Sequence, residues 1–64
     1  MEVDTIVRRV RNEFMEMPGL RLTPAQATRL WGVPHDTCRE VIDRLVASAF
    51  LRWTTGGLVT RMDG

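Results

Sequence analysis

Ile6, Val7, Val10, Phe14 and Met17 stand three or four positions apart, the spacing that gathers side chains on one face of an α-helix. Arg8, Arg9, Arg11, Asn12, Glu13 and Glu16 fill most of the positions between them. The pattern predicts a first helix over about 4–17, with Asp4 capping its start and Pro18-Gly19 stopping it. Ala27, Leu30 and Trp31 form a second apolar face. It follows Thr23-Pro24-Ala25-Gln26, where Thr23 and Gln26 have the three-residue separation of a capping box. Pro24 takes the first helical position, where its missing N–H costs nothing. This predicts a helix over 24–31, ended by Gly32, with Val33 packing just past the turn. A third stripe of Cys38, Val41, Ile42, Leu45 and Ala49 predicts a helix over about 35–48.

Elsewhere the period shortens. Leu20-Arg21-Leu22 alternates over three residues, a stub of strand or an extended connector. Phe50-Leu51-Arg52-Trp53-Thr54 and Leu58-Val59-Thr60-Arg61-Met62 have strand character and flank Thr55-Gly56-Gly57, whose two glycines can both take positive φ. A hairpin over 50–62 follows. Pairing across Gly56-Gly57 sets Trp53 opposite Thr60 and Arg52 opposite Arg61, with both arginines on one side. Trp31 and Trp53 fall on apolar stripes and are expected in the core rather than free to stack on bases. Met15, Met17 and Met62 are expected as core or interface filler.

Composition narrows the functional classes. A chain of 64 residues makes one domain, 1–64, mainly α with a small hairpin. No apolar run approaches the roughly 20 residues of a membrane span, and Met1-Glu2-Val3-Asp4 is not a signal-peptide opening, so a cytoplasmic protein without a membrane partner is expected. Cys38 is the single cysteine and His35 the single histidine, too few for a metal site. Periodicity turns Cys38 inward as a small hydrophobe; a sensing thiol would need an exposed or electropositive setting. No phosphate-cradling glycine loop, paired carboxylates in a cleft or nucleophile–base set is present. Neither an enzyme nor a cofactor is therefore expected.

The order helix, short strand, helix, turn, helix, hairpin is carried by Gln26-Ala27-Thr28-Arg29-Leu30-Trp31-Gly32-Val33 leading into Cys38-Arg39-Glu40-Val41-Ile42-Asp43-Arg44-Leu45. Over about residues 5–62 it resembles the winged helix-turn-helix family of bacterial DNA-binding regulators. Gly32 in the turn, Val33 after it, and Ala49-Phe50-Leu51 leading into the hairpin are its most telling points. The resemblance implies a three-helix core with a β wing, the third helix in the major groove and the wing on the DNA backbone. The sequence departs from the family at three places. Thr28 replaces a usual small alanine, so its hydroxyl needs a partner near the third helix. Ala49 replaces a frequent glycine and is strained if its backbone is left-handed. The hairpin tip carries no basic residue.

Two functions follow. The first is transcriptional regulation by binding double-stranded DNA through Gln26, Arg29, His35, Thr37, Arg39, Arg44, Arg52 and Arg61. A dimer is expected in that case, because one small module covers too little DNA for high specificity. The second is a protein–protein adaptor that uses the first helix or the acidic part of the third. The net charge of +1 suits the adaptor better, while the resemblance suits DNA. All nine basic residues are arginines, good forks for phosphate and guanine. The third helix also carries Asp36, Glu40 and Asp43, and an i,i+4 pair between Glu40 and Arg44 is expected. Met15 lies off the main stripe of the first helix and is the best candidate for an exposed contact in a homodimer through that helix.

Overall fold

The computed structural model describes residues 2–62. Its elements are α1 (Val3–Glu16), α2 (Pro24–Trp31), α3 (His35–Ala47), β1 (Leu51–Trp53) and β2 (Val59–Arg61). They make the three-helix, mainly α fold with a two-stranded antiparallel hairpin that the pattern predicts. The core is a single cluster. Ile6, Val10 and Phe14 come from α1, Ala27 and Trp31 from α2, and Cys38, Val41, Ile42 and Leu45 from α3. Leu22, Val33, Leu51 and Val59 close it.

The helix ends follow local chemistry. Thr23 Oγ1 accepts from the Gln26 N–H at 3.1 Å, and Gln26 Oε1 accepts from the Thr23 N–H at 3.0 Å, so the capping box is complete. Gly32 ends α2 in the left-handed region at φ 65°. The first helix starts one residue earlier than expected, with Glu2 as N-cap and no side-chain cap; Asp4 is already inside its first turn. Thr28 does not need α3. Its hydroxyl donates to the Pro24 carbonyl at 2.6 Å and reaches the Ala25 carbonyl at 3.0 Å, within its own helix.

Ala49 lies beyond α3 rather than on its apolar face, and its φ is 63°. The Ala49 N–H donates to the Val46 carbonyl and the Phe50 N–H to the Leu45 carbonyl, the two bonds of a Schellman motif. The left-handed strain expected of a non-glycine residue here is therefore present.

The hairpin corrects the sequence reading in two ways. Only Gly57 of the glycine pair has positive φ, at 79°. The Gly57 N–H donates to the Thr54 carbonyl at 3.1 Å and the Thr54 N–H to the Leu58 carbonyl at 2.8 Å, so Thr55-Gly56-Gly57 is a three-residue loop. The register is consequently Leu51–Arg61, Arg52–Thr60 and Trp53–Val59. The register expected from a two-residue turn would put Leu51 and Val59 on opposite faces. The observed one puts both on the inner face, where each is fully buried. It also separates Arg52 and Arg61 to opposite faces. Leu22 exchanges both backbone hydrogen bonds with Val59, at 3.1 and 2.7 Å, so the stub after α1 flanks β2 and leaves β1 as an outer strand.

Several apolar residues are more exposed than their spacing suggests. Leu30, Met17, Met62 and Trp53 all stand out at the surface; Met15, off the main stripe of α1, is exposed as expected. Trp53 shares the inner face with Leu51 and Val59, but it is the last residue of β1, beside the loop, where the core has run out.

Replacing Ala49 by Gly relieves a left-handed alanine that costs roughly 1–2 kcal/mol, offset in part by glycine's greater freedom when unfolded. The variant should gain about 0.5–1 kcal/mol, read as a rise in Tm of about 2–8 °C. An unchanged or lower Tm would contradict the strain. In urea titrations Trp31→Ala should lose about 3–5 kcal/mol, enough to unfold so small a domain, while Trp53→Ala should lose at most about 1 kcal/mol. The Cys38 side chain is buried, its Sγ facing the Pro24 carbonyl, and burial raises its pKa. It should resist a thiol reagent at neutral pH in the folded protein and react promptly in denaturant.

Candidate functional site

The free face of α3 is the natural place to look for contact chemistry, because its opposite face is the buried stripe Cys38, Val41, Ile42 and Leu45. At about 100° per residue the strip directly opposite that stripe is Asp36, Glu40, Asp43 and Ala47. All four are exposed. The outermost chemistry of the helix is thus three carboxylates and a methyl group. The basic side chains sit on its two flanks.

One flank turns towards α1. Arg44 forms an ion pair there with Asp4, 40 residues away in sequence, and a second with Glu40 at 3.2 Å, the pair expected from their spacing. Both partners are largely exposed, so these bonds contribute little stability. Their effect is to direct the Arg44 guanidinium at two carboxylates, away from the free strip. Thr37, half-buried, lies on the same flank.

The other flank turns towards the hairpin. His35, Arg39 and Asp43, one helical turn apart in succession, join Cys38 and Ile42 of α3, Pro24 at the start of α2 and Trp53 of β1 around a cleft of about 370 Å³. Trp53 is 44% exposed, an unusual state for so large a ring beside an open cleft. Arg39 makes no hydrogen bond or ion pair among the described residues.

The remaining sequence-predicted residues are dispersed. Gln26 holds the capping box and, with Arg29, borders a second, open hollow beside Leu22 and Leu30. Arg52 sits half-buried on the outer face of the hairpin. Arg61 belongs to the α1 side, since its guanidinium carbon lies 5.7 Å from the centre of the Phe50 ring, which Arg11 also approaches at 5.2 Å. Of the eight residues expected to form one surface, His35 and Arg39 share the cleft. Arg44 and Arg61 are directed elsewhere.

Sequence reasoning missed Trp53 and underweighted Asp36 and Asp43. Trp53 alternates with Leu51 onto the inner face, and the signal for its exposure was its position at the end of β1, next to the glycine loop. The acidic strip was visible in the period of α3 once the core stripe was fixed.

Among the described residues no group of three potential ligands is placed to hold a metal ion, and no helix is long and apolar enough to cross a membrane. No family model, curated protein or solved structure matches the chain.

Proposed function

We propose that this chain is a protein-interaction module built on a winged-helix frame, and that the α3–hairpin surface receives a basic segment of another protein. The observation that carries this reading is the exposed strip Asp36, Glu40 and Asp43, of which Asp43 lines the cleft together with the half-exposed Trp53. Three carboxylates at one patch attract a cationic partner and repel a polyanion. Held about 6 Å from a phosphate in water, each carboxylate costs roughly 0.7 kcal/mol before screening. With Glu40 matched by Arg44, the unpaired Asp36 and Asp43 still outweigh one unpaired Arg39 at a similar distance. A tryptophan at the rim is the side-chain type that most often anchors a protein contact, and its face also accepts a Lys or Arg cation. The partner chemistry that fits is a Lys- or Arg-rich segment with one apolar residue for the cleft.

A second reading, binding of double-stranded DNA by a small regulator, is supported by the element order and by the unpaired Arg39 at the front of α3. In that reading His35, Thr37 and Arg39 approach base edges, Gln26 and Arg29 the nearby backbone, and Arg52 a phosphate beside the hairpin.

One experiment separates the two. Random peptides displayed on phage are selected against the folded protein, and a random DNA duplex is titrated separately by fluorescence anisotropy at low salt. The expected peptide outcome is enrichment of Lys/Arg flanking an apolar residue. Synthetic copies should then lose about tenfold or more in affinity to Trp53→Ala and to Asp43→Lys. Enrichment of acidic peptides, or of none, would overturn the protein reading. Saturable DNA binding, with log affinity falling by about 0.9 per phosphate contact against log salt and weakened by Arg39→Ala, would establish the DNA reading instead.

A further inference from the structure

The back of α1 is a helical face left without a partner inside the fold. Ile6, Val10 and Phe14 are buried, and Val3 and Val7 pack against the core. On the opposite side Thr5, Arg8, Arg9, Asn12, Met15 and Glu16 form one continuous face, all exposed. Met15 at 57% is the most exposed of the large apolar side chains. Arg8, Arg9 and Glu16 make no ion pair among the described residues, whereas the neighbouring Asp4 and Arg11 are engaged with Arg44 and Phe50.

The order of charge along this face is self-complementary. Arg9 lies three residues before Asn12 and Glu16 four after it, about 4.5 and 6 Å along the axis and on the same edge of the face. If two copies meet antiparallel with a two-fold axis at Asn12, Arg9 of each comes beside Glu16 of the other. On the other edge Arg8 comes beside Met15, so its alkyl stem covers the exposed thioether. The two Asn12 amides face one another across the axis, and an amide can donate to and accept from its twin. A parallel arrangement would set Arg9 against Arg9 and Glu16 against Glu16. The antiparallel one is therefore the arrangement that this face selects.

We infer that α1 is a self-association surface for a second copy of this chain, paired antiparallel about Asn12 through reciprocal Arg9–Glu16 contacts, with Arg8 over Met15. The pairing is independent of what the α3–hairpin surface binds. It would place two such surfaces on one particle, so that a partner with two matching segments is held more tightly than a partner with one. A single helix of about 21 Å gives a small interface, below the roughly 1,000 Å² of stable complexes, so the dimer is weak and forms with rising concentration.

The test is sedimentation velocity from about 10 µM to 1 mM, at low salt, with circular dichroism confirming that each variant is folded. Wild type should shift from monomer towards dimer. Arg9→Glu sets acid against acid at the paired positions 9 and 16, and Glu16→Arg sets base against base there. Each alone should associate at least about tenfold more weakly than wild type. Mixed in equal amounts, the two variants should recover association, because every facing pair is then of opposite charge. Met15→Arg, which sets like charges against Arg8, should also abolish the shift. A strictly monomeric wild type at 1 mM would overturn the inference. So would single variants that associate as wild type does, or a mixture that gains nothing over its components.

Discussion

The apolar stripe of α3 is the surface on which the rest of the molecule is assembled. Cys38, Val41, Ile42 and Leu45 meet α1 on one side and α2 on the other, and the base of the hairpin closes the remaining opening through Leu51 and Val59. A chain this short has one core and no reserve, so each of these contacts carries a large share of a small total. The same stripe also decides the chemistry of the surface. Once four positions of α3 are committed inward, geometry assigns Asp36, Glu40 and Asp43 to the outermost strip and sends the arginines to the flanks.

The helices were legible because their signals are local. The capping box at Thr23 and Gln26, the left-handed Gly32 and the i,i+3/i+4 stripes each act within one or two turns. The hairpin itself was legible for the same reason. Its register was not, because it depends on whether the loop between the strands has two residues or three, and both glycines permit either. The side chain that decides is Val59. It is shared between β1 and the distant Leu22, and that constraint is not local. Leu30 and Met17 show the opposite failure. Their spacing is right for an apolar stripe, yet a core of this size has too little room to cover the ends of the stripes.

The contact surface was less legible than the fold. Arginines can be counted in a sequence, but where a long side chain goes depends on the nearest carboxylate or ring. Asp4 draws Arg44 towards α1, and Phe50 collects Arg11 and Arg61 from two different elements. What survives on the free face is set by residues with no competing partner, and on α3 these are mostly acidic. The three helices and hairpin thus leave one face of α3 open, with carboxylates along its outermost strip.

The pairing of Leu22 with Val59 has a kinetic consequence. It joins residues separated by α2, α3 and β1, so forming it carries the entropy of closing a long loop. Local helix formation and hairpin closure can proceed early, but this ladder step closes a long loop and comes late. Because β2 is held on both sides only after that closure, opening of the outer strand and release of the segment before α2 are coupled. Amide exchange at Val59 and at Leu22 therefore reports one cooperative event, the opening of the whole domain, whereas the tip of the hairpin can fray independently.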